Sequence, residues 1–474
     1  MPVVPLHVDP IDEVFAAGLA AIRAEMAIED LPASAIAEAD AAIAAASTVV
    51  PTDLTDLPFV TLDPPGSRDL DQALHLTAEA DGWVVHYAVA DLAAFVTPNG
   101  AIDEAARARG VTIYLPDSKS PLHPPSLSEA AASLLPDQVR RALVWRVQID
   151  TDGEIVDVDV RRASVRSRGA YTYGQVQSAL DAGTAADVFG LLRRAGRARE
   201  ALQARRGGLD LRLPEQTVVA DDGTYGLAYR APLAVEGWNA QMSLLVGECA
   251  ARIMLDAGVG VLRTMPPPSP ETVERLRMHA RGLGVAWPET TGYAEFVRSL
   301  DPTVSDQAAL IVQSAKLARG AGYLAFTTPP SGDVTHGAVA APYAHVTAPL
   351  RRLVDRFANE VTLAACAGTA PPPWATAALT ELPKLMGRAG AREHEVDRMV
   401  VSLAEAVVLE GCIGQQVDGV VVDVNRDHAT VQLVRPAVVA DIANVEGAGL
   451  GDEICLRVVS ADPRQRAIVL EPVS

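Results

Sequence analysis

Lysine is nearly absent from this chain: Lys119, Lys316 and Lys384 stand against 37 arginines in 474 residues. A GC-rich coding sequence accounts for that bias, yet arginine also offers the bidentate fork that suits phosphate. Aromatic residues are sparse as well, at 4%. Only four cysteines occur (Cys249, Cys366, Cys412, Cys455), far apart and without a Cys-x-x-Cys pair. A zinc site or disulfide framework is therefore not expected, and a reducing compartment is. No run of 18 apolar residues exists to span a membrane. The opening MPVVPLHVDPIDEVF lacks the basic and apolar regions of an export signal, so a cytoplasmic location is expected. Positive charge is in deficit too: 40 basic against 60 acidic side chains leave −20. That argues against a generic binder of nucleic acid or anionic membrane.

What is present points to a globular protein. Apolar residues make up 49%, too many for a disordered chain. The length suits one large domain with appendages, or two to three domains. The charge is unevenly spread. Residues 1–80 carry 14 carboxylates against Arg23 and Arg68, a net of −12. Residues 161–212 carry 11 arginines and 4 carboxylates, a net of +7. Residues 409–474 carry 10 carboxylates and 5 arginines, a net of −5. An acidic protein with one Arg-rich stretch can still meet a polyanion locally, although a solvated helix face explains such a stretch equally well.

Residues 11–28 and 34–47 read as two Ala-rich amphipathic helices separated by Asp30-Leu31-Pro32. WVVHYAVAD (83–91) is a near-continuous apolar strand, and 142–150 with 153–167 read as a hairpin around Thr151-Asp152-Gly153. Helices are expected at 188–204, 236–257, 271–284 and 349–366, the last with Pro349 as its first residue, and through 375–410. From residue 409 the pattern alternates with period two around Asn425-Arg426-Asp427-His428 and again around Asp462-Pro463. This predicts a small β-barrel of the OB type. The expected organisation is α+β: an N-terminal helical segment (1–55), a large mixed domain (56–408) and the small barrel (409–474).

The segment PFVTLDPPGSRDLDQAL (58–74) sets Asp63, Asp69 and Asp71 on a Pro-Gly loop after a short apolar strand. Close-set carboxylates repel, and a hard cation such as Mg²⁺ or Mn²⁺ relieves them. Such a cluster suits metal-assisted phosphoryl hydrolysis. A solvated loop with Asx turns fits the spacing too.

The same stretch resembles the signature of the RNB family of exoribonucleases, the ribonuclease II and ribonuclease R group. Thr61-Leu62-Asp63 and Asp69-Leu70-Asp71-Gln72 stand where that family has T-I-D and D-x-D-D. YAVADLAAFV (87–96), IYLPDSKSPLHPPSLSEAAASLLPD (113–137), YTYGQVQ (171–177), AVEGWNAQMSLLVG (234–247) and HGAVAAPYAHVTAPLRRLVDR (336–356) follow in family order. The resemblance covers about residues 55–410 and implies a catalytic domain with a central channel for one RNA strand.

The resemblance also implies roles. Asp63, Asp69 and Asp71, with Gln72 at the fourth position, would hold Mg²⁺ (Mn²⁺ as the alternative). Arg351 would grip the phosphate at the scissile bond. Tyr114 would stack on the terminal base, and Tyr173 would line the path of the next nucleotides. Glu236 would accept from a ribose 2′-hydroxyl, which selects RNA over DNA. Arg352 and His345 of the 336–356 segment join the RNA-binding set; independently of the resemblance, Arg168 in the Arg-rich stretch just before Tyr173 is placed to hold RNA. Each has a plainer reading: half-buried strand aromatics, a helix N-terminal carboxylate, surface arginines, a structural histidine.

The implied activity is 3′→5′ hydrolysis of single-stranded RNA to nucleoside 5′-monophosphates by a monomer. Gln72 gives up one formal charge where the family has a carboxylate, so a catalytically impaired RNA-binding protein is the alternative; a metal phosphodiesterase with another substrate is a more remote one. Family members carry small β-barrels ahead of the catalytic domain, whereas the segment before the site reads as helical here. The C-terminal barrel sits where the family has an S1 domain. Residues 409–474 contain no Phe, Trp or Tyr, so weak RNA binding, or guidance of the strand by shape, is expected of it.

Overall fold

The computed structural model describes residues 13–46, 52–209, 215–221, 224–230, 232–301, 304–317, 320–424, 428–433, 435–443 and 449–473. The two N-terminal helices are α1 (Glu13–Glu25) and α2 (Ala33–Ala45). Residues 11–12 and 47 of the expected helices, and 425–427 of the expected turn, lie outside the described residues. Both helices dock on the body of the protein. Phe15, Leu19 and Ile22 of α1 are buried. Glu38 of α2 accepts from the Ala101 and Ile102 N–H groups at the start of α3 (Ala101–Arg109), satisfying donors that a helix leaves free.

A closed five-stranded barrel forms the centre. Its strands are β1 (Phe59–Asp63), β2 (Gln72–Glu79), β3 (Gly82–Ala90), then, after the short hairpin β4 (Ile113–Tyr114) and β5 (Lys119–Ser120), β6 (Val139–Asp150) and β7 (Ile155–Thr172). Neighbours pair antiparallel except at the closure, where β1 and β7 run parallel. Closure leaves no unpaired edge. The strands are apolar on both faces, and alternate residues enter two separate cores. Leu74, Tyr87 and Trp145 join the larger one, and Ala73, Ala88 and Val144 the smaller. This explains the unbroken apolar run seen at 83–91.

Helices α4 (Tyr173–Asp181) and α5 (Asp187–Arg205) follow, then the hairpin β8 (Glu215–Asp221) and β9 (Thr224–Arg230). The long apolar α6 (Ala234–Ala257) is buried as its composition implies, with Met242, Leu245, Val246 and Met254 wholly enclosed. Next come β10 (Gly260–Thr264), α7 (Pro270–Gly282), α8 (Tyr293–Ser299), α9 (Ser305–Leu317) and β11 (Gly322–Phe326), which pairs with β10. Helix α10 runs Leu353–Cys366, so Pro349 is not its first residue. Residues 349–352 instead form a connection: Thr112 N–H donates to Arg351 O, and Leu353 N–H to Gly110 O. That backbone pairing takes the place of a first helical turn. Helices α11 (Pro373–Ala378) and α12 (Leu382–Glu410) complete the domain.

The last strands are β12 (Gln416–Val424), β13 (His428–Leu433), β14 (Val439–Ala443), β15 (Glu453–Asp462) and β16 (Ala467–Pro472). They form an antiparallel sheet in the order β14-β13-β12-β15-β16, a near-closed barrel. Among the described residues, no helix is long and apolar enough to cross a membrane.

Candidate active site

The loop between β1 and β2 lies at one end of the central barrel. Asp63 ends β1, and its register partner is Thr172, the last residue of β7. The Thr172 side chain caps α4 in a reciprocal capping box with Gln175, which fixes where Tyr173 begins that helix. Leu70 anchors the loop. It is 2% exposed, its N–H donates to Ser133 Oγ (3.0 Å), and its carbonyl accepts from Leu134 N–H (3.0 Å). Asp69 and Asp71 flank that anchor.

The three carboxylates have different partners. Asp71 is buried; its Oδ1 accepts from Leu350 N–H (2.7 Å) and its Oδ2 from Arg351 Nε (3.1 Å). Asp69 Oδ2 accepts from Tyr114 Oη (2.8 Å) and Oδ1 from Lys119 Nζ (3.1 Å). Asp63 Oδ2 is buried and has no hydrogen-bond partner. Burial pushes the Asp63 carboxyl up to about 7; Arg351 opposes that and Asp69 adds to it. Asp71 also rises to about 7 through burial, against the pull of Arg351 and the Leu350 N–H. For Asp69 burial pushes upward, but Lys119 and Tyr114 outweigh it and hold the carboxyl below its ordinary value.

Gln72 opens β2. Its Oε1 accepts from Tyr87 Oη (2.8 Å), and Tyr87 Oη shares a second hydrogen bond with Ser243 Oγ (2.7 Å). Among the described residues, no three carboxylate, imidazole or thiol groups form a ready-made metal cage. The orphaned oxygen of Asp63 and the elevated carboxyls of Asp63 and Asp71 nonetheless fit a hard cation, which would offset the burial of negative charge.

The remaining candidates are spread around this centre. Arg351 has 38% of its side chain exposed, and its two terminal nitrogens have no acceptor among the described residues. Arg352 is held by Asp355, which takes its Nε and Nη2. Asn239 Nδ2 donates to Tyr173 Oη (3.3 Å). His345 Nδ1 shares a hydrogen bond with Tyr323 Oη (2.8 Å); burial, then Arg352, holds it well below its ordinary pKa. Glu236 accepts from Leu233 N–H (3.0 Å) and pairs with Arg230 (2.6 Å), as a helix N-terminal carboxylate does. Arg168 Nη2 donates to Thr55 O (2.7 Å).

In the Arg-rich stretch, Arg199 and Arg206 both pair with Glu248, and Arg206 also with Glu154. Arg205 Nη2 donates to Asp152 O (3.0 Å). Structure therefore brings Asp63, Asp69, Asp71, Arg351 and Tyr114 together. It ties Arg352, Glu236 and Arg168 to other protein groups.

Sequence reasoning missed Lys119, Tyr87 and Ser243. For Lys119 a signal existed: it is one of three lysines, and it directly follows the Tyr-Leu-Pro-Asp-Ser stretch that carries Tyr114.

The chain superposes on apo ribonuclease R of Mycoplasma genitalium with a TM-score of 0.84 at 18% identity, covering 97% of this chain and 78% of the other. Yeast Ssd1, described as a pseudonuclease, gives 0.69 at 15% identity over 91% of this chain and 56% of that one. In sequence, the RNB domain matches residues 51–366, and the chain belongs to that family. The C-terminal S1 domain of RNase II-type exonucleases matches residues 415–473. Ribonuclease R of M. genitalium is 27% identical over 325 residues, 64% of this chain and 43% of that protein. Exoribonuclease 2 of Vibrio cholerae is 40% identical over 139 residues, 29% of this chain and 20% of that protein. The chain thus aligns with less than half the length of these relatives.

Proposed function

We propose that this protein is a 3′→5′ exoribonuclease that hydrolyses single-stranded RNA to nucleoside 5′-monophosphates. The observation that carries this reading is the buried, unpartnered Asp63 Oδ2, set in the field of the Arg351 guanidinium. A buried carboxylate oxygen without a donor is costly unless a cation visits it. Asp63 and Asp71 are the residues that would hold Mg²⁺ or Mn²⁺. Such an ion, when bound, supplies Lewis-acid polarisation of the phosphate and a more acidic water.

The chain's own groups do the rest. Asp71 fixes Arg351 through Nε, which leaves the terminal nitrogens to hold the non-bridging oxygens of the scissile phosphate. The Tyr114 ring borders Asp69, where a terminal base would stack and set which phosphate reaches the carboxylates. Tyr173, oriented by Asn239, begins the path of the next nucleotides. Arg168, Arg352, His345 and Glu236 would act at second hand, by holding the walls of that path. Relatives of the same fold support an RNA substrate: solved structures of the M. genitalium ribonuclease R are described in complex with ribose-methylated single-stranded RNA and with double-stranded RNA.

A second reading is an RNA-binding protein without hydrolysis. Gln72 favours it, because its amide oxygen is engaged by Tyr87 and carries no charge, and a pseudonuclease shares the fold. One digestion separates the two. Pure protein, 5′-labelled RNA and Mg²⁺ or Mn²⁺ should give mononucleotides and a short end product. Intact RNA with retained binding would select the second reading.

A further inference from the structure

Each carboxylate of the site has a different degree of freedom. Asp71 has both oxygens engaged by the Leu350–Arg351 segment, and Asp63 has one oxygen with no donor at all. Asp69 has both oxygens engaged by a single hairpin. Tyr114 of β4 and Lys119 of β5 are direct cross-strand partners. Side chains of such a pair stand on one face of the hairpin, and here both reach Asp69, the phenol on Oδ2 and the ammonium on Oδ1. Lys119 is itself anchored from behind. Its Nζ lies 3.1 Å from Glu129 Oε1, and the three side chains are 12–26% exposed.

The charge around the site is correspondingly split. Asp63, Asp69 and Asp71 bring three carboxyl groups; Arg351 sits on Asp71 and Lys119 on Asp69. Gln72 contributes a neutral amide already bonded to Tyr87. An ammonium in contact with a carboxylate repels an incoming dication at that carboxylate, and strongly so at partly buried positions.

We propose that Lys119, braced by Glu129, is a built-in counter-cation for Asp69 that limits this site to one divalent ion, held on the Asp63 side. The positive charge is what matters: the Lys119 ammonium lies 3.1 Å from both Asp69 Oδ1 and Glu129 Oε1 and so bridges two carboxylates. Lys119 is a positioning residue here, acting on the metal through Asp69. The inference deepens the nuclease reading and rests on it for the identity of the ion.

The test counts Mn²⁺ bound by the full chain without RNA, using electron paramagnetic resonance of free Mn²⁺. The wild type should bind one ion per chain, lost in Asp63→Asn. Lys119→Met and Lys119→Gln should each admit a second ion, or bind the first at least about threefold tighter. Lys119→Arg, which keeps the charge, should behave as wild type. In an Asp69→Asn background Lys119→Met should add nothing, because the carboxylate it guards is gone. Thermal melts establish that each variant is folded.

Less than a threefold change in both neutral variants overturns the proposal. So does a Lys119→Arg variant that behaves like Lys119→Met, or an undiminished Lys119→Met effect in the Asp69→Asn background. The nuclease reading fails separately. Mn²⁺ binding that depends on Lys119 in a chain that releases no nucleotide would remove the activity and leave the counter-cation standing.

Discussion

Asp71 holds Arg351 at 3.1 Å through Nε while its other oxygen takes the Leu350 N–H, so one carboxylate fixes both the backbone and the guanidinium of the arginine segment. Asp71→Asn keeps the shape but removes the charge that Arg351 pairs with and presents an amide N–H to one of the two donors. Nucleotide release should fall at least a hundredfold, about 3 kcal/mol of transition-state stabilisation. RNA affinity, measured by filter binding, should stay within about threefold. Turnover near wild type would sink the assignment.

Asp63 gives a stability signature of its own. Its folded carboxyl titrates at about 7, above the ordinary value of 3.8, because it is buried. The folded state therefore holds a proton that the unfolded state releases between those values, and ionised Asp63 destabilises the fold above pH 7. In EDTA, Asp63→Asn should melt higher than wild type at pH 8, by about 1–2 kcal/mol. The gain should shrink as pH falls toward 5, where wild-type Asp63 is neutral. An equal gain at both pH values would refute the ionisation argument.

Gln72→Asp adds a carboxylate beside Tyr87, whose hydroxyl can still donate to it. The extra charge should lower the Mg²⁺ concentration for half-maximal RNA hydrolysis about tenfold or more. The same variant should melt lower in EDTA, because the new charge is partly buried. A variant that gains hydrolysis from an inactive wild type would select the RNA-binding reading of the natural chain.

Tyr114 has a ring and a hydroxyl that can be tested apart. Tyr114→Phe removes only the hydrogen bond to Asp69 and should leave the final product length unchanged. Tyr114→Ala removes the stacking surface and should change that length on a sequencing gel. If both variants end at the wild-type length, Tyr114 has no part in seating the terminal base.

His75 and His86 face each other across β2 and β3, with ring centroids 6.2 Å apart. Burial and the neighbouring His75 lower His86 to about 4, against an ordinary 6.5. The unfolded chain thus binds a proton first, so stability is full above pH 6.5 and is lost as pH falls toward 4. His86→Gln should flatten the decline in melting temperature over that window, by about 1 kcal/mol after allowance for partial exposure. A decline identical to wild type would exclude His86 as its source.

Much of this was legible in the chain because the information is local. The β6–β7 hairpin, the buried α6 and the C-terminal barrel follow from periodicity and turn residues; the spacing of Asp63, Asp69 and Asp71 fits a solvated loop as well, and it is the resemblance of their segment to the RNB signature that singles them out. Contacts between distant segments were not legible. Nothing local says that Tyr87 would take up the Gln72 amide, that Asp355 would hold Arg352, or that β1 would close against β7. Pro349 misled for the same reason: a proline at a helix start is a local rule, and the pairing of Thr112 with Arg351 overrode it.

The parallel closure of the barrel also bears on how the protein is made. β1 leaves the ribosome about a hundred residues before β7, the strand that seals its free edge, with Asp63 finally opposite Thr172. Through that interval the apolar strand Phe59–Leu62 has one bare flank, the template on which strands of other chains add. Slow translation or truncation before Thr172 should therefore give aggregates rather than a partly active fragment, and overexpression should benefit from a chaperone that covers an exposed strand edge.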